Sequence, residues 1–330
     1  MKNTYISKKI IKWYDNNKRI LPWRAKISNK KKEYYTLVSE FMLQQTQVKT
    51  VIPYFNNFIL NIPDLESLSK IRNEKLMKCW EGLGYYSRAK NLKKTAKKIL
   101  KEFKGRLPNN EDDLKSLPGI GDYTSKAIMA IAFNKKIIPL DGNVERILKR
   151  VLYLKKNHEI SKENLHRNKL FFGESKRAGD YAQAIMEIGA LICKPINPIC
   201  SNCPISLNCI SFKKKDFKIA KINKFNKQKF FEVNIIKNKF EKYYLLRNHK
   251  FNFLKGMPIL PMREITQLKY ENYLGKKVNI KMSNMDMKII FNETKLVKDK
   301  NGLYVGNNEL SSITLPTFTK KLLNTALRNL

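Results

Sequence analysis

No stretch of this 330-residue sequence approaches the roughly 20 consecutive apolar residues of a membrane-spanning helix. The opening residues, Met1 to Asp15, are basic and amphipathic. They lack the continuous apolar core and small-residue cleavage site of a secretory signal. A soluble, intracellular protein is expected. Histidine is almost absent: His158, His166 and His249 are the three present, none in a context that suggests a site, so surface or linker places are expected for them. No repeat and no low-complexity tract stands out beyond a lysine bias. The five cysteines are an odd number without a signal peptide, which argues against a disulfide framework. Acidic residues are scarce, 28 against 66 Lys and Arg, leaving a formal charge of +38. That balance favours polyanions, nucleic acid before anionic membrane. Background drift in coding composition would also enrich lysine, so the charge points to DNA only together with the motifs below.

What is present divides the chain in two. Apolar residues recur at three- and four-residue spacing over 5–17, 34–48, 64–80, 87–103, 111–116, 123–133, 143–153 and 178–192, which predicts helices. Pro53, Pro63, Gly82, Gly84, Pro108, Pro118 and Gly119 punctuate them. Residues 213–229 are polar and basic and read as a linker. From Phe230 the segments FFEVNIIKN, KYYLLRN, KVNIKMS and MKIIFNETKL carry strand signals, and a helix over roughly 316–329 follows. The expectation is an all-α domain over 1–212, a linker over 213–229 and a smaller α+β domain over 230–330.

Four cysteines fall close together: Cys193, Cys200, Cys203 and Cys209, spaced Cys-x6-Cys-x2-Cys-x5-Cys. Structural zinc sites usually pair two short Cys-x2-Cys knuckles. One such pair with longer arms suits a cubane iron–sulfur cluster better, and zinc is the alternative. Pro195, Pro198 and Pro204 stiffen the loop, while Cys79, in the amphipathic segment KLMKCW, reads as core packing. Between two helical segments lies Leu117-Pro118-Gly119-Ile120-Gly121, the pattern of a helix-hairpin-helix. Gly119 and Gly121 would let the backbone approach a phosphate, and the next helix would offer free N–H donors.

Two carboxylates stand out. Glu40 lies in the apolar stretch LVSEFMLQQTQV, where desolvation would raise its pKa and suit it to general-acid work. Asp141 in IIPLDGNVERIL would, alone, read as a helix N-cap. Together the two fit glycosidic cleavage, with one carboxyl protonating the leaving group and the other facing the cationic sugar.

The cysteine spacing, LPGIG and the downstream Asp141 resemble the endonuclease III superfamily of DNA glycosylases. The finer segments LPWR (21–24), SEFMLQQTQV (39–48), VIPYF (51–55), GLGYYSRA (82–89) and LDGNV (140–144) resemble the MutY-type adenine glycosylases within it, over about residues 5–212. The resemblance implies a mainly α helix-hairpin-helix glycosylase domain with a [4Fe-4S] loop over 193–209, then a smaller α+β Nudix-like domain. It implies removal of adenine mispaired with 8-oxoguanine or guanine in double-stranded DNA, by a monomer in the bacterial cytoplasm, associated with the nucleoid. Glu40 would protonate adenine and Asp141 would stabilise the oxocarbenium ion, with Tyr123 and Asn143 supporting both through hydrogen bonds. Gln45 and Thr46 would lie near the lesion strand, and Leu83 and Tyr85 would serve as wedge and lesion contacts. Bifunctional relatives carry a nucleophilic lysine where this chain has Tyr123, so the resemblance implies a monofunctional hydrolase. Lys126, three residues on, should face elsewhere. The nearest match to the family's Phe-Ser-His recognition loop is Met282-Ser283-Asn284, which assigns lesion contact to Ser283. Two other readings compete: an oxidised-pyrimidine glycosylase with lyase activity, and a non-enzymatic iron–sulfur regulator that binds DNA.

Overall fold

The structure, a computed structural model, describes residues 4–155, 161–218, 227–282, 285–293, 302–310 and 312–327. Contacts group the chain into two compact units. One comprises Met1–Ile71 with Lys90–Lys221, the other Arg72–Ala89 with Ile222–Leu330.

The first unit is helical. In chain order the helices are α1 (Thr4–Asn17), α2 (Asn29–Leu43), α3 (Val48–Asn61), α4 (Leu65–Lys70), α5 (Asn73–Cys79), α6 (Ser87–Glu102), α7 (Glu111–Lys115), α8 (Asp122–Ile131), α9 (Gly142–Val151), α10 (Lys162–Asn168), α11 (Ala178–Leu191) and α12 (Ile210–Lys213). Of these, α5 belongs to the second unit. Side-chain caps set several starts: Asp64 accepts from the Ser67 N–H, Asn110 from Asp113 and Asp141 from Val144. Ile6, Ile10 and Tyr14 of α1, Val144, Ile147, Leu148 and Val151 of α9, and Tyr181, Ala184, Ile185 and Ile188 of α11 share one core. Cys203 and Cys209 pack against that same core, so the cysteine loop is anchored to the bundle.

Two helix expectations need correction. Pro53, read as a break, lies inside α3. An interior proline costs about 3 kcal/mol, but Val51, Phe55 and Phe58 are buried on that helix, and each such burial contributes about 1.5–3 kcal/mol. The single helix expected over 64–80 is instead α4 and α5, separated by extended backbone at Ile71 and Arg72. That break is also where one unit gives way to the other.

The second unit is α+β. Its strands are β1 (Lys227–Ile235), β2 (Tyr243–Arg247), β3 (Pro258–Ile259), β4 (Met262–Glu264), β5 (Lys277–Met282), β6 (Met285–Glu293) and β7 (Gly302–Val305), with helices α13 (Gln267–Glu271) and α14 (Thr317–Leu327). One sheet has the order β4-β1-β6-β5, with β1 and β6 parallel and the other pairs antiparallel; the second has the order β3-β2-β7. Phe231, Val233 and Ile235 alternate inward along β1 and meet Leu315, Phe318, Leu322 and Leu323, so α14 closes the core. On the other face of β1, buried Glu232 pairs with Arg263 and, at 3.0 Å, with Lys269. No helix among the described residues is long and apolar enough to cross a membrane.

Candidate active site

Glu40 lies near the end of α2, Tyr123 in the first turn of α8, and Asp141 caps α9. All three belong to the helical unit. Only 7 % of Glu40 is exposed. Burial pushes its pKa from 4.5 up to about 7; the Asp141 charge adds to the rise and Arg24 opposes it. The Tyr123 pKa is raised well above its usual value, first by burial and then by the charges of Glu40 and Asp141. Three groups from distant parts of the chain therefore share one electrostatic environment.

Asp141 is held by two donors. The Val144 N–H reaches one oxygen at 2.7 Å and Asn143 Nδ2 the other at 2.8 Å. The N-cap reading and the catalytic reading are thus compatible, because one oxygen caps α9 while the carboxylate as a whole is oriented. Asn143 is held in turn by Arg146, whose Nη2 donates to its Oδ1 at 2.7 Å and to the Gly189 carbonyl at 2.8 Å. A Cβ at Gly189 would stand 2.5 Å from that of Asn143, so glycine is what lets α11 approach the start of α9 this closely. The Tyr123 hydroxyl lies 3.4 Å from Met186 Sδ. The expected bond from Tyr123 to a carboxylate is not among those of the described residues; its link to the pair is electrostatic.

Sequence reasoning missed an ionic cluster beside this pair. Glu187 of α11, fully buried, accepts from Arg24 Nη1 at 2.6 Å and from Arg19 Nε at 3.0 Å. Arg24, 17 % exposed, also lowers the Glu40 pKa. A signal was available: Glu187 stands alone in the apolar run AIMEIGALI, as Glu40 does in its own segment. Its arginine partners, more than 160 positions away, left no local trace.

Gly119 has φ 84°, and a Cβ there would lie 2.9 Å from both Asn91 Cβ and Phe41 Cε1. The hairpin can therefore pack on α2 and α6 only with glycine. Gly121 is the N-cap of α8, with open space where a Cβ would be. Gln44, also missed, donates to the Gly119 carbonyl at 3.2 Å and to Thr124 Oγ1 at 3.3 Å, tying the end of α2 to the hairpin. Lys126 turns to Asp122 at 2.6 Å and Glu111 at 3.6 Å.

Gln45 is exposed in left-handed backbone with φ 57°, and Thr46 follows it with its N–H bonded to the Leu43 carbonyl. In the second unit, Gly82, Gly84 and Tyr85 have positive φ and Arg88 braces the turn, donating to the carbonyls of Leu83 and Gly84. Tyr85 is 41 % exposed, whereas Leu83 is buried at 6 %. Ser283, with Asn284, lies outside the described residues.

Cys193, Cys200, Cys203 and Cys209 line one small cavity walled by Ile147, Val151, Ile188, Ile192 and Phe212. Among the described residues no three His, Cys, Asp or Glu close on a single ion. Burial raises the thiols of Cys200, Cys203 and Cys209, with Cys203 pushed up to about 12. These three can therefore be thiolates together at neutral pH only beside positive charge, a condition that an iron–sulfur cluster meets. Arg150 of α9 braces the loop, donating to the carbonyls of Lys194 at 2.6 Å and Pro195 at 2.8 Å, with Nη1 3.4 Å from Cys193 Sγ. One turn earlier, Arg146 Nε donates to the Cys193 carbonyl at 2.7 Å.

Residues 38–171 match the family described as HhH-GPD superfamily base excision DNA repair protein. The adenine DNA glycosylase of Buchnera aphidicola subsp. Schizaphis graminum is 36 % identical over 285 residues, 83 % of this chain and 79 % of that protein. The human adenine DNA glycosylase is 39 % identical over 207 residues, 61 % of this chain and 38 % of the human protein. Among solved structures, a thermostable thymine-DNA glycosylase superposes with a TM-score of 0.57 at 26 % identity, covering 64 % of this chain and 96 % of that one. An endonuclease III–DNA complex shares the fold with a TM-score of 0.53 at 19 % identity, over 64 % of this chain and 95 % of that one. Identity of this level over most of both lengths, on a helix-hairpin-helix fold that gathers Glu40, Tyr123 and Asp141, places the chain in the adenine DNA glycosylase family of base-excision repair enzymes.

Proposed function

We propose that this glycosylase hydrolyses the N-glycosidic bond of adenine mispaired with 8-oxoguanine or guanine, without strand cleavage. The observation that carries the reading is the buried Glu40 carboxyl, with its pKa raised to about 7 beside Asp141. A stacked adenine cannot reach a buried carboxyl, so the nucleotide must be flipped out of the duplex. Glu40 donates its proton to a ring nitrogen of adenine, for which N7 is the choice. The C1′–N9 bond breaks, its electron pair leaves with the base, and positive charge develops on the sugar. The Asp141 carboxylate, oriented by Val144 and Asn143, faces that cation. Water then adds at C1′ and returns a proton to the Glu40 carboxylate, leaving free adenine, an abasic site and Glu40 protonated as at the start. Tyr123 offers no amine for a Schiff base, and Lys126 is engaged with Asp122 and Glu111.

Cys193, Cys200, Cys203 and Cys209 would hold a [4Fe-4S] cluster, which would organise the loop over 193–209 for phosphate contact. Absorbance near 400 nm that bleaches on cluster loss supports that assignment; a colourless, zinc-containing protein refutes it. We assign residues 1–212 to the glycosylase domain, 213–229 to a linker and 230–330 to a Nudix-like domain that reads 8-oxoguanine, with Tyr85, Gln45, Thr46 and Ser283 as candidate contacts on the DNA; Leu83, buried in this turn, joins them only if the turn rearranges on binding. Gly119 and Gly121 serve the phosphate backbone, and the protein acts as a monomer at the nucleoid.

The test is a duplex carrying adenine opposite 8-oxoguanine, incubated with the protein and then treated with alkali. Strand breakage only after alkali is expected. Absence of any alkali-labile product removes the glycosylase assignment, and breakage before alkali favours the lyase reading.

A further inference from the structure

The second unit contains a contact that joins its β core to the glycine-rich loop GLGYY. Glu81 stands between the end of α5 and Gly82, and its carboxyl is 12 % exposed. It accepts from the Leu315 N–H at 3.2 Å and pairs with Lys320 Nζ at 2.7 Å, both at the start of α14, 234 or more positions downstream. Lys78 adds a local pair at 2.8 Å. Leu315 is the last N–H donor before Pro316, which has none, so the Glu81 oxygen serves the N-terminal end of α14 from outside the helix. On its other side α14 is locked into the β core by Leu315, Phe318, Leu322 and Leu323. Immediately after Glu81 come the positive-φ residues Gly82, Gly84 and Tyr85, with Tyr85 exposed. A shift of α14 is therefore transmitted directly to the first residue of the loop.

We infer that Glu81 is a positioning residue, the clip through which the β core sets the GLGYY loop and thereby the enzyme's choice of the base opposite adenine. The inference rests on the proposed reading of residues 230–330 as the part that reads 8-oxoguanine. Charge-assisted bonds in a mostly enclosed place give the clip the strength to hold the loop in one position. Both partners are needed: the Leu315 amide fixes the direction of the carboxyl, and Lys320 supplies the charge.

The experiment compares single-turnover excision of adenine opposite 8-oxoguanine with excision opposite guanine, at concentrations set by active-site titration. Wild type, Glu81→Gln, Lys320→Gln, the double variant and Glu81→Asp are measured. Glu81→Gln and Lys320→Gln should each reduce the ratio of the two rates by on the order of tenfold, the usual size of coupling between sites. The double variant should lose no more than the stronger single variant, because both break one clip. Glu81→Asp should restore part of the ratio. A merely structural defect lowers the active fraction for both substrates alike and leaves the ratio unmoved. If wild type prefers the lesion and neither single variant changes the ratio, the clip is overturned while the reading of residues 230–330 stands. A wild type without preference overturns the clip together with that reading.

Discussion

Replacing Glu40 by Gln removes an ionisable group from a buried place while keeping its shape, and the outcome follows from proton uptake. Glu40 has a folded pKa of about 7 against an ordinary value of 4.5, raised by burial and then by the Asp141 charge. Below the lower value both folded and unfolded chains carry the proton. Between the two values the unfolded chain ionises while the folded chain keeps its proton, so wild type loses stability as pH rises. Above about 7 both are ionised, and the folded state carries the whole penalty of a buried carboxylate. At roughly 1.4 kcal/mol per pKa unit, the penalty is on the order of 3 kcal/mol. The glutamine variant does not titrate there. Its stability relative to wild type should therefore rise by about 3 kcal/mol between pH 4.5 and 8, whatever constant cost the amide carries. Urea unfolding of both proteins at steps of pH measures this directly. Parallel stability profiles across that range would refute the raised pKa and with it the general-acid assignment. The same variant should bind DNA yet fail to excise at every pH, because an amide is far too weak an acid to protonate adenine.

Three other perturbations probe Arg24, its ion-pair partner Glu187 and the packing that holds Asn143. Arg24 lowers the Glu40 pKa, so Arg24→Met should move the alkaline limb of the residual excision profile to higher pH; a limb that stays or moves down contradicts the coupling. Glu187→Gln strips the carboxylate from Arg24 and Arg19 and should cost about 3 kcal/mol of stability in urea unfolding. Gly189→Ala places a methyl 2.5 Å from Asn143 Cβ, which should displace the start of α9, lower stability by about 1–3 kcal/mol and slow single-turnover excision. Wild-type kinetics and stability in that variant would mean that the α9–α11 approach has slack. Binding of undamaged duplex should fall steeply with salt, with a log–log slope of about −5 to −7 if 6–8 phosphates are contacted; a flat response would make the +38 charge compositional background.

Much of the helical unit was legible because amphipathic spacing reports which face is buried. The spacing in SRAKNLKKTAKKILKE predicts α6 to within a residue at its end. The misses have physical reasons. Pro53 carries a local cost that Val51, Phe55 and Phe58 outweigh only once α3 packs, and packing is not written in the local pattern. The break at Ile71 and Arg72 was hidden because the apolar spacing runs through it. Leu83 and Tyr85 are near neighbours in sequence, yet the turn with positive φ at Gly84 and Tyr85 leaves one buried and the other exposed.

The cysteine spacing, the LPGIG hairpin and the isolated carboxylates of Glu40 and Asp141 could be read from the sequence by itself, because each signal lies within a few residues of chain. Gly119 belongs with them, since its left-handed backbone is a local demand. Tertiary structure decided what those groups face. It brought Arg24 and Asp141 to act on Glu40 with opposite signs, and bound Glu187 to two arginines more than 160 positions away. It also joined Glu81 to the start of α14. Such contacts depend on which buried surfaces fit one another across the core. A pKa, the balance between desolvation and neighbouring charge, takes its value only when that fit is made.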